Sequence, residues 1–178
     1  MECSFQEELV NIDSFRKRVF GLSSQSTSGR RIMAIDYGTK KIGVAVSDDS
    51  MLIAFPKDIL IGNWLNIEFV IRKVDEQINK YNAIAVVFGL PRTLNGALHE
   101  NCKIIIPVAK CLNTTIPVLL IDERFTTRLA NRQMYEKISF CRKNKRNINK
   151  INNKNDDDVS AVIILNDVLN MINASEIN

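Results

Sequence analysis

The stretch that decides the fold runs from Arg31 to Ser47 and reads RIMAIDYGTKKIGVAVS. Its first part is a short apolar run that ends at Asp36. The turn residues Tyr37-Gly38-Thr39 follow, a sequence typical of a tight connection between strands. Beyond the turn, apolar side chains recur at every second position, which is the period of a strand. The stretch therefore predicts a hairpin of two strands, Ile32–Asp36 and Lys41–Ser47.

The rest of the chain predicts a mixed α/β domain around this hairpin. A third strand is expected within Leu52–Leu60, where Pro56 indicates a break or a sheet edge. Alternating helices and buried strands follow, which implies right-handed crossovers and a sheet covered on both faces. The predicted helices are Asn66–Tyr81, Leu98–Cys111, Thr126–Ile138 and Asp157–Ile172, the predicted buried strands are Ala83–Phe88 and Pro117–Ile121, and residues 141–155 are predicted to form a loop.

Length and composition indicate one globular domain with a short extension. The chain has 178 residues, of which 46% are hydrophobic and 25% charged, and this composition excludes a disordered, collagen-like or coiled-coil protein. Residues 1–30 are predicted to be an N-terminal extension made of a weakly amphipathic helix and a polar linker over residues 23–29. The domain itself is predicted over residues 31–174.

The sequence also predicts a compartment. Acidic residues near the start, with no apolar run behind them, argue against a secretory signal or a transit peptide. The longest apolar runs, such as Ala83–Leu90, are far shorter than a membrane-spanning helix. We therefore expect a cytoplasmic protein that does not bind a membrane.

The formal net charge of +4 conceals an uneven distribution. Between Arg128 and Lys154 there are nine basic residues and one acidic residue, a net charge of +8, so the remainder of the chain carries −4. One interpretation is a surface that contacts the phosphate backbone of a nucleic acid. The alternative interpretation is a solvated surface loop.

Carboxylates follow the predicted strands and open the last helix. Asp36 ends the first strand, Asp122 and Glu123 end the fifth, and residues 156–158 are all Asp. Ligands of open α/β sheets bind at the carboxyl ends of strands, and we expect the first and fifth strands to be neighbours there. Helical periodicity leaves either Asp157 or Asp158 facing the sheet.

A cluster of carboxylates without His or Cys suits a hard cation such as Mg²⁺ or Mn²⁺, which relieves the repulsion between the acids. Such a site can cleave phosphodiester bonds. Taken one by one, the same acids could instead form a turn, a loop hydrogen bond or a helix cap.

Four motifs in order resemble the YqgF family, the RuvX or Holliday-junction-resolvase-like proteins. They span roughly residues 31–170, leaving the first thirty residues outside the resemblance. The motifs are Ile35–Asp48 (IDYGTKKIGVAVSD), Val87–Pro91 (VFGLP) followed by Asn95-Gly96, Asp122–Thr127 (DERFTT), and Asp157 with Ser160–Leu165 (SAVIIL).

The resemblance implies an RNase H-like fold with a central five-stranded mixed sheet flanked by helices. It also implies a cytoplasmic, metal-dependent nuclease that processes the 5′ end of pre-16S rRNA in ribosome biogenesis. The family acids correspond to Asp36, Glu123 and Asp157, which are expected to be both the catalytic residues and the ligands of Mg²⁺ or Mn²⁺. The sequence departs from the family pattern at Asn95, where Asp is usual, and at Phe125, where Leu is usual.

The expected partner is RNA, namely pre-16S rRNA, or structured DNA, and a homodimer is a further possible assembly. Alternatives to the rRNA nuclease are a resolvase of branched DNA and a nucleic-acid-binding factor without catalytic activity. An actin-like ATPase ranks last because it would need a second similar domain. The candidate nucleic-acid contacts are Lys40, Arg124, Arg142, Lys143, Lys145 and Arg146.

Overall fold

The computed structural model describes residue 9 and residues 11–23, 30–91, 97–122 and 157–174. The predicted helix over Thr126–Ile138 and the predicted loop over residues 141–155 lie outside these ranges, as does most of the predicted linker. The described elements are, in chain order, α1 (Ile12–Ser23), β1 (Arg31–Tyr37), β2 (Lys41–Ser47), β3 (Ala54–Ile61), α2 (Ile67–Tyr81), β4 (Ala83–Leu90), α3 (Cys102–Leu112), β5 (Val118–Asp122) and α4 (Asp157–Ala174).

The five strands form one mixed sheet in the order β3-β2-β1-β4-β5. The pairs β1–β2 and β2–β3 are antiparallel, whereas β1–β4 and β4–β5 are parallel. This arrangement confirms the predicted five-stranded mixed sheet. The expectation that the first and fifth strands are neighbours is wrong. The connection through α2 carries the chain from the β3 edge to the far side of β1, where β4 pairs with β1, and β5 then pairs with β4.

Strand β3 forms one edge of the sheet, as Pro56 predicted. Pro56 pairs with Ala45 and Ile59 pairs with Gly43, so two residues of β3 lie opposite the single residue between them on β2. This is a β-bulge. Proline has no N–H to donate to a neighbouring strand, and a bulged edge strand tolerates this loss.

The helix boundaries follow local hydrogen bonds. Helix α2 begins after Asn66, whose side chain accepts a hydrogen bond from the N–H of Phe69 at 2.9 Å. Helix α3 begins at Cys102, four residues later than the predicted Leu98, because the N–H of His99 is bonded to the carbonyl of Pro91 at 3.1 Å.

Among the described helices, none combines the length and the apolar character needed to span a bilayer.

Side chains alternate between two apolar layers on opposite faces of the sheet. Helices α1 and α4 cover the face that carries Ile32 and Ala34 of β1, which we call the α4 face. Helices α2 and α3 cover the face that carries Met33, Ile35 and Tyr37, which we call the α2 face. Both layers are largely buried. Because successive side chains of a strand point to opposite faces, the position of a residue in its strand tells which of the two layers its side chain joins.

Helix α1, predicted for the N-terminal extension, packs against the α4 face. Phe15 and Val19 are 2% and 0% exposed and lie in the same cluster as residues of α4. The Arg18 guanidinium donates hydrogen bonds to the side-chain and main-chain oxygens of Asn113, at 2.5 and 3.2 Å. The helix therefore adds to the core, while a domain boundary near residue 30 stays a prediction.

The turn between β2 and β3 is held by Asp48. One oxygen of its carboxylate accepts hydrogen bonds from the N–H groups of Leu52 and Ile53, both at 2.8 Å. Partial burial disfavours ionisation, but these backbone hydrogen bonds outweigh it, so the pKa of Asp48 lies below its ordinary value. The bonds also stabilise Met51 at φ 55°, in the left-handed region.

We predict that Asp48→Asn destabilises the protein by about 1 kcal/mol at pH 7 and by less at pH 2. A carboxylate with a lowered pKa stabilises the fold fully above its ordinary pKa, about pH 4, and this contribution disappears as the pH falls through the folded-state value. Urea unfolding followed by the fluorescence of Trp64, the single tryptophan, measures the difference. The control is Asp49→Asn, a carboxylate paired with Arg31 at the surface, with an expected change under about 0.5 kcal/mol. An equal loss from Asp48→Asn at both pH values would contradict the prediction.

Candidate active site

Asp36 lies near the carboxyl end of β1, on the α4 face of the sheet. It follows Ile32 and Ala34 in the alternation, and both of those side chains are 0% exposed in the apolar layer. Asp36 itself is only half-buried. The strand thus changes from apolar to acidic on one face at the point where it reaches the edge of the core.

The neighbours of Asp36 on this face are glycines. Gly43 pairs with Asp36 across the antiparallel ladder. On the other side, Gly89 follows Phe88, the residue of β4 that pairs with Ile35. Because neither glycine has a side chain, the α4 face is open on both sides of the Asp36 carboxylate. The sequence shows both glycines, but only the strand register reveals that they flank the same acid.

A cleft of about 290 Å³ opens beside Asp36. The turn of the β1–β2 hairpin lines this cleft. In the turn, the N–H of Gly38 donates a hydrogen bond to the carbonyl of Lys41 at 2.8 Å. A Cβ at position 38 would lie 2.9 Å from that carbonyl oxygen, so the turn needs glycine. The residues that line the cleft are Asp36, Gly38, Thr39, Lys40, Lys41 and Gly43.

Lys40 is exposed at the tip of the hairpin. Within the part of the chain that the structure describes, it forms no ion pair with a carboxylate. The structure therefore brings Lys40 to the same cleft as Asp36, where an ammonium group can meet an anionic ligand.

The segment before α2 clamps the hairpin. The backbone N–H of Trp64 donates a hydrogen bond to the carbonyl of Thr39 at 3.1 Å, and the Tyr37 hydroxyl donates one to the backbone carbonyl of Trp64. Burial raises the pKa of Tyr37, so its hydroxyl stays protonated as a donor. The Trp64 side chain is 4% exposed and stacks on Phe69 with ring centroids 5.4 Å apart. Sequence reasoning missed Trp64, although a single tryptophan beside a predicted helix start was a visible signal.

Helix α4 begins near the end of the sheet at which β1 ends. The side chain of Asn166 accepts a hydrogen bond from the N–H of Ala54, which pairs with Ser47 at the other end of β2. Nine helical residues, roughly 13 Å, lie between Asp157 and Asn166. Four strand residues, also roughly 13 Å, separate Ser47 from the partner of Asp36. The first turn of α4 is therefore level with Asp36 on the same face.

The described side chains of α4 do not distinguish Asp157 from Asp158. The helix is described from Asp157, but its side chains only from Val159 onward. Ala161 lies four residues after Asp157, and Val162 lies four residues after Asp158. Both side chains are buried, so both helical faces pack against the core. The assignment of Asp157 therefore still rests on the motif.

Asp122 lies away from Asp36. It ends β5, where Leu120 belongs to the layer on the α2 face, and so by alternation Asp122 is on that face too. Strand β4 lies between β1 and β5, which puts the two aspartates about 10 Å apart or more. The structure therefore does not bring Asp122 and Asp36 together.

The remaining predicted site residues lie outside the described residues. They are Glu123, Arg124, Arg142, Lys143, Lys145 and Arg146. Among the side chains that the structure does describe, no three of His, Cys, Asp or Glu form a group that could hold a metal ion. The three-carboxylate metal site thus stays a prediction, with Asp36 as its one described side chain.

Comparisons with known proteins point in one direction. The family model described as RuvX, Holliday junction resolvase, matches residues 30–171. A Rickettsia bellii (strain OSU 85-389) protein named "Putative pre-16S rRNA nuclease" is 39% identical over 144 residues, covering 80% of this chain and 87% of that protein. A protein of the same name from Rickettsia typhi is 37% identical over 143 residues, covering 79% of this chain and 85% of that protein.

A solved structure is similar in fold. T. thermophilus RuvC in complex with a Holliday junction substrate matches with a TM-score of 0.53 at 11% sequence identity, covering 82% of this chain and 95% of that chain. At this identity the likeness shows the arrangement of strands and helices.

We predict that Gly38→Ala destabilises the protein by about 1–3 kcal/mol, because the added methyl group collides with a backbone carbonyl that is held in the hairpin. The matched control is Gly21→Ala in α1, where a Cβ meets nothing within 4 Å. That change is expected to be neutral or to stabilise the helix by up to about 1 kcal/mol. Urea unfolding of both variants measures the difference, and equal effects of the two alanines would contradict a steric role for Gly38.

Proposed function

The chain belongs to the RuvX family of Holliday junction resolvases, and from this membership we propose that it is the nuclease that processes the 5′ end of pre-16S rRNA. The reaction is hydrolysis of phosphodiester bonds. The observation that carries the proposal is the placement of Asp36 on an open, glycine-flanked cleft that Lys40 also lines. An acid that can hold a cation thus shares a cleft with a basic group that can hold a phosphate.

The residues present fit a divalent cation. Asp36 supplies carboxylate oxygens, which are the ligands that Mg²⁺ and Mn²⁺ prefer, and the glycines beside it leave room for an ion. We propose that Asp36, Glu123 and Asp157 hold it. The start of α4 at the level of Asp36 supports the inclusion of Asp157. A divalent ion in such a site supplies Lewis-acid stabilisation of the charge on the leaving oxygen.

The position of Asp122 argues against it as the third ligand. Successive residues of a strand point to opposite faces, and Asp122 belongs to the α2 face. A ligand from this end of β5 that shares an ion with Asp36 must come from the α4 face. We therefore assign that role to the next residue along the chain.

Basic residues are proposed to hold the substrate backbone. Lys40 lies at the cleft, and Arg124 follows the proposed ligand Glu123 in the same motif. The basic segment that contains Arg142, Lys143, Lys145 and Arg146 would add further phosphate contacts. Phosphate contacts position a nucleic acid but do not distinguish RNA from DNA.

A second candidate substrate is branched DNA, which the description of the family favours. We also propose that the protein is cytoplasmic, because this is where a nuclease that cleaves an rRNA precursor would act. Assembly as a homodimer stays a prediction.

We predict that Asp36→Asn lowers the rate of RNA cleavage more than about 100-fold, because the amide loses the charge that holds the cation. The assay is incubation of the purified protein with a transcript carrying the 5′ leader of 16S rRNA, with and without Mn²⁺, and with a four-way DNA junction in a parallel arm. Asp49→Asn, at the opposite end of the sheet, is the matched control. Metal-dependent cleavage by Asp36→Asn at the rate of the unaltered protein would refute the mechanism, and binding of RNA without cleavage under any divalent ion would favour a non-catalytic factor.

We also predict that Glu123→Gln lowers the cleavage rate by more than about 100-fold, whereas Asp122→Asn changes it less than about fivefold. Both changes remove one negative charge at adjacent positions, so they are matched in charge and place. Thermal unfolding of each variant checks that the fold is intact. The reverse order of effects would show that Asp122 is the ligand.

A further inference from the structure

A column of contacting side chains leads from the buried Trp64, which precedes α2, to the exposed side of that helix. Trp64 stacks on Phe69 with an interplanar angle of 19°. On the Phe69 ring lie two cations from the next turn of the helix, with the Arg72 guanidinium carbon 5.0 Å and the Lys73 ammonium 5.9 Å from the ring centroid. Cation–π contacts of this kind restrict where a long side chain places its charge.

Arg72 differs from its neighbours in its pairing. Lys73 forms an ion pair with Glu76 at 2.6 Å, and Lys80 forms one with Asp58 at 2.6 Å. Within the described residues Arg72 forms no ion pair, although it is exposed. Phe69 therefore holds in place a guanidinium that forms no close ion pair with a described acid, and such a group loses less freedom when it binds an anion than a free lysine does.

The column is continuous with the cleft. The backbone N–H of Trp64 donates to the carbonyl of Thr39, the residue before Lys40 at the hairpin tip. From the Trp64 ring, two contacts of 5.4 and 5.0 Å lead to Arg72. The hairpin tip that carries Lys40 and the exposed Arg72 thus lie at the two ends of one connected set of contacts.

Two apolar side chains close to Trp64 in the sequence are exposed. They are Ile61, three residues before it, and Leu65, directly after it, which are 72% and 61% exposed. A single-stranded nucleic acid offers both phosphates for the cations and unstacked bases for apolar surface, whereas a duplex keeps its bases stacked inside.

We propose that Arg72, positioned by Phe69, binds a phosphate of the single strand that passes from the cleft over the hairpin tip and along α2. The inference rests on the proposed function, because it takes the ligand to be the substrate strand. It adds a contact outside the four motifs and outside the segment between Arg128 and Lys154. The ligand class is single-stranded RNA or DNA.

The test measures binding without cleavage. The full chain carrying Asp36→Asn is titrated, in the absence of divalent ions, into a fluorescent single-stranded RNA of twenty nucleotides at several salt concentrations. Adding Arg72→Gln is expected to raise Kd about five- to tenfold and to reduce the slope of log Kd against log salt by about one, as the loss of one phosphate contact does. Arg72→Lys retains the charge and is expected to restore most of the slope.

The matched control is Lys17→Gln, which removes one exposed positive charge from α1. It is expected to leave both Kd and the salt slope unchanged. An equal effect of Lys17→Gln and Arg72→Gln, an unchanged slope in Arg72→Gln, or no binding of RNA at all would each overturn the inference. Phe69→Leu tests the positioning, since it leaves the charge present but unsupported and is expected to raise Kd about two- to threefold.

The two proposals fail in different ways. If the unaltered protein cleaves no RNA but its binding depends on Arg72, the proposed function is wrong and the binding surface stands. If it cleaves RNA and Arg72→Gln binds as tightly as its parent, the function stands and the surface is wrong.

Discussion

The alternation of side chains along β1 is the constraint on which the rest of the structure depends. Met33, Ile35 and Tyr37 pack on the face covered by α2 and α3, whereas Ile32 and Ala34 pack on the face covered by α1 and α4. Because side chains alternate between the two layers, a shift of one residue would move every side chain of the strand into the opposite layer. The same register sends the acid at position 36 to the face on which α4 begins. Core packing and the position of the candidate catalytic group are thus decided together.

The hairpin after β1 has two roles that depend on each other. It presents Lys40 beside the cleft, and it must keep that position without a core of its own. Gly38 lets the turn close, while Trp64 and Tyr37 tie the tip to the segment before α2. The same tryptophan begins the column of rings that ends at Arg72. A buried anchor of the active-site loop is therefore also the base of the contacts that position an exposed arginine.

Much of the local structure could be predicted because it has local causes. The period of two and the turn residues predicted β2 at its observed bounds, and Asn66 begins α2 as an N-cap through a bond to a residue three positions away. The start of α3 was predicted too early because the pattern of apolar residues does not show that His99 is tied to Pro91 on β4. The contact of Arg18 with Asn113, ninety-five residues away, has no local signal of any kind.

The sequence by itself determined the class of fold, the identity of Asp36 as a candidate catalytic acid and the motifs that reveal the family. These depend on residue type, spacing and turn chemistry, all of which act within a few residues. Only the tertiary structure decided that β4 separates β1 from β5, that Asp122 lies on the opposite face from Asp36, and that Gly43 and Gly89 flank the acid. The reason is physical: strand order, and the packing that decides which face a residue joins, arise from contacts between segments that are mostly far apart in the sequence, and such contacts leave no local pattern.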